Sequence, residues 1–549
     1  MATVPFVRQL GAESGVQLNP LRDRSEIPTF GRDDQTFAIA MRATRGRIDK
    51  AFAVDRANVK RRLGHGEPIK TNALNEAWVH VVEALNNGAY EAVVSRLTDD
   101  TAVLSWIVVA EDVDASGNPI FTFTVSETEP TTGFLFAIKH LDCFNDGIKV
   151  SFRADEKREG GVNVANDVIT IKLIDPQDDE VLFSATGSLD GTAIDDSGNA
   201  FDLPAVVERM VDNVEVVINS GETIATDSPA YGYLPSGQEQ WAESAVLDYF
   251  AEGGTIYETA DYARSRQQLT DTTLRYGYIS TGATEAVDLI GEMAQLSFDT
   301  ARQLRLDVPG DLTAEEAIAF VEQLNLGGQP EPHLLHAFWA PLKSSDPTGI
   351  NGKRHYGTAT LNIALSCLRN AAVNARGFAR KNYPIAGRMF PLSRMRLEQT
   401  YTPSNQELNR LAKAKINPVL FETYSGGGLY VWRDSLTSAP VDSSLKKLIA
   451  VAEMSSSIDH FVTRYGKDIL QLPMEIAMKR MRDALKRLFE GAQASGWLVP
   501  SDEPDMGGAA WKFEVKPNEM RPYELMDVNY WLRYDGTTRQ IHVTQTLTR

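Results

Sequence analysis

Six strand-like runs follow one another between Ala102 and Ala185 with no helical period among them: Ala102–Val109, Ile120–Val125, Gly133–Ile138, Ile148–Phe152, Val168–Ile174 and Val181–Ala185. Turns rich in Asp, Gly and Asn separate them. Strand and helix signals alternate on either side of this block, so the two patterns call for different cores. A chain of 549 residues is in any case too long for one, and roughly two to four domains are expected. The β-rich stretch reads as a module inserted into an α/β scaffold.

The scaffold begins at Thr36. Thr36–Met41 reads as a buried strand ended by Arg45-Gly46, Phe52–Val54 as a second strand, and Val59–Leu63 as a helical turn closed by Gly64. Asn72–Asn86 carries Leu74, Trp78, Val81, Val82 and Leu85 at helical spacing, and Tyr90–Leu97 returns as a strand. Beyond the β-rich block, Gln240–Phe250 reads as a helix, Tyr276–Ser280 as a strand and Thr284–Leu304 as a helix. Capping boxes at Thr313-Ala314-Glu315-Glu316 and Ser404-Asn405-Gln406-Glu407 open two more helices. His336–Leu342 and Leu429–Trp432 are read as strands, and Thr358–Arg380 as a long helix. Ahead of Thr36, the prolines Pro5, Pro20 and Pro28 interrupt any period, so this segment reads as an arm that buries little alone.

The other end is more distinctive. From Pro473 to Gln493 a helix places Met474, Met478, Met481, Leu485, Leu488 and Ala492 on one side. Lys479, Arg482 and Lys486 fall on another face, with Arg480 and Arg487 nearby. Two strands are expected to follow, Asp527–Tyr534 and Arg539–Thr548: Val528, Tyr530, Leu532 and Tyr534 alternate on one face, and Ile541 and Val543 alternate beyond Asp535-Gly536. A lone hairpin is marginal in water and wants a third strand.

Composition narrows the function classes. The formal net charge is −19 with lysine and arginine evenly spread, which argues against coating nucleic acid, since neutralising phosphates needs local basic excess. The basic helix is therefore unusual in this chain. No apolar run approaches the ~18–20 residues that span a bilayer, so no membrane insertion is expected, and Met1-Ala2-Thr3-Val4-Pro5 lacks the basic start of a signal peptide. Cys143 and Cys367 lie far apart and read as free thiols.

Catalytic patterns are missing. Gly349–Lys353 holds glycine and lysine but continues into Arg354 instead of the Ser or Thr of a phosphate loop. No Gly-x-Ser-x-Gly elbow occurs. His333 and His336 stand three apart with no third ligand. Asp112-Val113-Asp114-Ala115-Ser116-Gly117 starts like a calcium loop, yet its twelfth position is Phe123 where a bidentate Glu is needed. This run and Asp195-Asp196-Ser197-Gly198-Asn199 are read as hairpin turns, and Gly426-Gly427-Gly428 as a flexible turn. The expectation is a protein that is not an enzyme and needs no cofactor or metal. A second reading is a hydrolase or carbohydrate-binding module on a multi-domain scaffold, prompted by the β-rich insertion and by Trp339 and Trp432.

The order of elements resembles that of contractile (myovirus-type) bacteriophage tail sheath proteins. Phe37-Ala38-Ile39-Ala40-Met41-Arg42-Ala43-Thr44-Arg45-Gly46 resembles their first core strand. Leu63-Gly64, the Asn72–Asn86 helix, Asn87-Gly88 and Val93-Val94-Ser95-Arg96-Leu97 follow in the family's order. Later, Pro384-Ile385-Ala386-Gly387 looks like its Pro-x-x-Gly segment, Ser404–Leu411 like the next helix, and Ile416-Asn417-Pro418 like its turn. Gly428-Leu429-Tyr430-Val431-Trp432 resembles the strand before a Thr-Leu pair, here Ser435-Leu436. Two departures stand out. Gly46-Arg47 replaces the usual Gly-Pro, and Arg433-Asp434 stands where a Gly-x-Arg is usual.

The resemblance implies an α+β and α/β multi-domain subunit. Its parts would be a linking arm at 1–35, a middle α/β domain at 36–100 and 270–383, a β-rich outer insertion at 101–269, and an inner domain at 384–549. It implies self-assembly into stacked helical rings around an inner tail tube, with baseplate and tail terminator proteins as further partners, in a virion tail assembled in the host bacterial cytoplasm. Contraction would drive the tube through the envelope for genome ejection; a phage-like bacteriocin or injection system is the variant within this class. The terminal arms would add strands to neighbouring subunits, with Val4, Phe6, Val7, Ile541, Val543 and Leu547 as strand residues. Lys479, Arg482 and Lys486 would meet acidic residues of the tube.

Overall fold

The computed structural model describes residues 33–66, 76–115, 117–348 and 352–545. Of these, 372–380 and 457–535 form a smaller compact unit and the rest a larger one.

The larger unit is built on an eight-stranded sheet in the order Phe52–Val54, Glu91–Arg96, Thr36–Met41, Tyr278–Ser280, Gln303–Val308, Leu335–Trp339, Ile416–Tyr424, Gly427–Trp432. The inner strands run parallel, and the two outermost pair antiparallel. Thr36–Met41, Gln303–Val308 and Leu335–Trp339 are buried at every position, as parallel strands covered on both faces must be. Ala38, Ala40, Leu304 and Leu306 pack with helices Thr259–Asp271, Val287–Thr300 and Ala314–Leu324 on one face. Phe37, Ile39, Met41 and Phe338 pack with Glu76–Asn86 and Ala359–Ala371 on the other. The fold is a mixed α/β multi-domain one.

Several boundaries differ from expectation. The helix expected over Thr284–Leu304 is Val287–Thr300: Ala301 turns left-handed at φ 51°, and Gln303 starts a strand. The Thr358–Arg380 helix ends at Ala371. Gln240–Phe250 is not a helix but contributes short strands, Ala242–Glu243 and Phe250–Ala251. Ile416-Asn417-Pro418 is no turn; it begins a strand, where the buried Asn417 amide donates to the Ala337 and Leu436 carbonyls and accepts from the Leu436 N–H. Trp339 and Trp432, which had suggested a ligand surface, are both 0% exposed and offer no ring to a ligand. The segment 384–549, expected as one inner domain, is divided, with 381–456 in the larger unit and 457–535 in the smaller.

All six expected strands of the insertion are present, in two four-stranded sheets around a common core that includes Ile107, Phe136, Phe152 and Ile171. The chain turns tightly at Asp114–Asn118 and Asp195–Asn199, where aspartate side chains accept from backbone N–H groups, so both acidic loops are hairpin turns. Helix Leu203–Met210, capped by Asp202, follows the last of these six strands within the span 101–269.

Three buried arginines fasten the insertion to the sheet. Arg45 pairs with Asp146 and with Asp175 and lies 4.0 Å from the Phe144 ring centroid. Burial pulls its guanidinium down, and the two carboxylates outweigh that and hold it above the ordinary value. Arg47, at the position of the departure noted above, donates to the Asp212 carbonyl at 2.6 Å and to Asp49. Arg96 donates to the Gly46 and Cys143 carbonyls and to Asn145. With carbonyls and an amide as its hydrogen-bond partners, burial depresses it.

A second charged cluster lies under the sheet. Glu453, 3% exposed, accepts from Arg305 at 2.7 Å, Arg369 at 2.8 Å and the Tyr278 hydroxyl at 3.0 Å. Burial pushes its carboxyl up, and the two guanidiniums overcome this and hold it at about 2.

Candidate functional site

The smaller unit carries the basic helix, and its sequence explains its local structure. Met474–Ala494 is an α-helix with Pro473 at its N-cap, within a residue of the expected Pro473–Gln493. Met478, Met481, Leu485, Leu488 and Ala492 are buried as expected, together with Ala477, Ala484, Phe489 and Gly491. Met474 is half-buried. A Cβ at Gly491 would stand 2.6 Å from the Phe378 ring, so close packing of 372–380 selects glycine there. Trp497 fixes the same segment: its indole N–H donates to the Ala379 carbonyl at 2.8 Å, and its ring meets Phe378 edge-on at 5.0 Å.

Against this helix lies a two-stranded antiparallel sheet, Trp511–Pro517 with Met526–Leu532. The second strand is the one expected from Val528, Tyr530 and Leu532, but its partner is not. The sequence pairs Asp527–Tyr534 with Arg539–Thr548; the structure pairs it with Trp511–Pro517, and 536–545 forms no strand. Register puts Trp511, Phe513 and Val515 opposite Leu532, Tyr530 and Val528. These share one face, and Phe489 lies 5.8, 6.0 and 5.6 Å from the rings of Trp511, Phe513 and Tyr530. The other face carries Lys512, Glu514, Asn529 and Trp531. The alternation of Trp511, Phe513 and Val515 with Lys512, Glu514 and Lys516 was the available signal for the missed strand.

No third strand pairs with this sheet among the described residues. Its two edges are not alike. The Arg533 N–H bonds the Ala510 carbonyl, and the Asn518 N–H bonds the Leu525 carbonyl, which turns the backbone groups of Val515 and Val528 outward. On the first strand Arg482 caps that edge, donating to the Val515 carbonyl at 2.7 Å. The Met526–Leu532 edge has no strand beside it among the described residues.

The expected contact residues fall into three groups. Lys479, Arg482 and Lys486 are all exposed; Arg482 is tied to the hairpin, while Lys486 Nζ lies 4.0 Å from Glu490 in an i,i+4 pair. Ile541 and Val543 are 79% and 87% exposed, on a tail held in the larger unit by an Arg539–Asp434 ion pair. Val4, Phe6, Val7 and Leu547 lie outside the described residues.

Titratable groups elsewhere are structural in their surroundings. His336 bonds the His333 carbonyl through Nε2, and no group of three or more potential metal ligands forms among the described residues. Cys143 and Cys367 are buried free thiols, and burial pushes Cys143 up to about 12. No helix among the described residues is long and apolar enough to cross a membrane.

No family model matches the chain, and no curated protein does. Solved structures do resemble it. A sheath tail protein from Desulfitobacterium hafniense is similar at a TM-score of 0.47 and 11% identity, over 91% of this chain and 93% of that one. A chain of the anti-feeding prophage baseplate is similar at a TM-score of 0.41 and 13% identity, over 55% of this chain and 77% of that one.

Proposed function

We propose that the chain is the structural subunit of a contractile tail sheath, polymerising around an inner tail tube and shortening to drive it through an envelope. The observation that carries this reading is a mismatch inside one molecule. Among the described residues, no strand lies beside the Met526–Leu532 edge of the two-stranded sheet, and the strand-patterned tail, with Ile541 and Val543 exposed, joins no ladder. An open edge is a liability in a monomer and a docking site in an assembly. A strand-patterned segment without a ladder and an edge without a strand suit exchange between copies. Order of motifs along the sequence supports the same family. Work comes from the free-energy difference between two lattices, with linked subunits rotating as rigid bodies, so no nucleotide, metal or catalytic residue has a role.

Baseplate and tail terminator proteins then bound the polymer, in a phage tail or a related injection device. The exposed Lys479 and Lys486 would face acidic groups on the tube. Such contacts are weak singly and salt-sensitive, yet repeat along the polymer.

Purified protein should form hollow tubes or rings by negative-stain microscopy, and a chain lacking 539–549 should not, while keeping its circular dichroism. Tubes that form equally well from the truncated chain would refute strand exchange by this tail. Lys479→Glu with Lys486→Glu should weaken assembly around the tube protein more than tube-free polymerisation; equal loss in both assays would remove the tube contact.

A further inference from the structure

The insertion carries a face that polymerisation does not explain. In the sheet Val181–Ser188, Val168–Ile174, Lys149–Ala154, Ala242–Glu243, one side is the buried core of Phe152, Ile171 and Ala185. Strand alternation turns Ser184, Thr186, Thr170, Lys172, Ser151 and Arg153 to the opposite side. Trp241, preceding Ala242, lies on that side too. Its ring centroid is 3.6 Å from Lys172 Nζ and 5.6 Å from the Arg153 guanidinium, and Tyr233, 51% exposed, flanks Arg153 at 5.2 Å.

Two features mark this face as unfinished. Among the described residues, Ser151 Oγ and Arg153 Nε have no hydrogen-bond partner, though these residues are 1% and 6% exposed. Such groups are costly unless something satisfies them. The charge balance is also open. Asp155 and Glu239 are already engaged by Arg153, and Glu239 also accepts from the Trp241 indole at 3.0 Å. Lys172 joins no ion pair among the described residues, and the exposed Glu243 stands beyond Ser151 from it. Thr170 and Thr186 hydroxyls, 2.8 Å apart, add a polar row beside it.

We propose that this face binds a carboxylated pyranose saccharide. A pyranose offers a C–H face to the outward side of the Trp241 ring and hydroxyls to Thr170, Thr186 and Ser184, while its carboxylate neutralises Lys172. The half-buried, uncompensated cation selects an acidic sugar over a neutral one. The site does not rest on the polymer reading, since binding is measured on unassembled chains.

The test is isothermal titration calorimetry of the full chain with tetragalacturonic acid and with cellotetraose. Acidic probe should bind with a Kd on the order of 1 mM or tighter, and the neutral one at least about tenfold more weakly. Lys172→Gln should weaken the acidic probe about tenfold and leave the neutral one within about twofold. Trp241→Ala should abolish both; if it disturbs the circular dichroism, Lys172→Gln alone decides. No binding by the native chain at about 10 mM, equal affinity for the two probes, or full affinity in Lys172→Gln would each overturn the proposal. Loss of tube formation in Trp241→Ala without any saccharide binding would make the face a subunit contact and overturn it as well.

Discussion

The two units use β-structure in opposite ways. In the larger one, Thr36–Met41, Gln303–Val308 and Leu335–Trp339 are buried on both faces and paired on both edges. In the smaller one, two strands cover Phe489 with one face and show Lys512, Glu514 and Trp531 on the other. The first sheet is finished by its own chain and gains stability from it; the second, among the described residues, keeps an edge with no strand beside it. Completeness of pairing separates the two sheets, since both follow the same alternation rules.

The contrast breaks most visibly at Glu453. Glu453→Gln leaves Arg305 and Arg369 without their counter-charge in a dry site, and should cost the larger unit about 3–5 kcal/mol. Chemical denaturation checks this; a loss below about 1 kcal/mol would show the pair to be incidental.

Acid should loosen the same unit next. Burial holds His140 down to about 4 and His336 to about 3, below the ~6.5 of an unfolded histidine. The unfolded chain therefore takes up these protons first. His140 stabilises fully above pH ~6.5, and about 3 kcal/mol is lost as pH falls to 4. Glu453 holds its contribution until pH drops below an unfolded carboxylate's ~4.3 and loses it toward about 2. Urea midpoints measured from pH 7.5 to 4 should fall steadily; a flat profile across that range would contradict neutral buried imidazoles.

The smallest effect on stability belongs to the tail. Ile541→Ser with Val543→Ser should shift unfolding by no more than about 0.5 kcal/mol, since both side chains already meet water. The same pair should abolish tubes. A thermal shift as large as that of Glu453→Gln would mean the tail is packed within its own subunit.

How far the sequence could be read follows the same division. Local signals sufficed where the outcome is local: both capping boxes form, with Thr313 and Ser404 bonding back from Glu316 and Glu407. Gly64 closes its helical turn, and the basic helix was placed to within a residue. The strand Gln303–Val308 escapes the sequence reading, whose helix ends at Leu304 and takes in only its first two residues, because Arg305 and Asp307 do not look like core residues. They are buried only because partners far along the chain satisfy them: Asn362, Ser366 and Glu453 for Arg305, and the Thr358 and Ala359 N–H groups for Asp307. The tail failed for the converse reason. Ile541 and Val543 alternate like a strand, but a strand needs a neighbour, and none of the described residues supplies it. A contact proposed for Lys479 and Lys486 depends on a partner surface, which no single sequence contains.

The three arginines at the root of the insertion bear on how such a module is gained or lost. A module seated on an apolar seam leaves a greasy scar when excised; this one would leave Arg45 without Asp146 and Asp175, Arg47 with Asp49 but without Asp212, and Arg96 without Cys143 and Asn145. Grafting a different outer module onto the sheet therefore means choosing one that brings its own aspartates, or rewriting Arg45, Arg47 and Arg96 together.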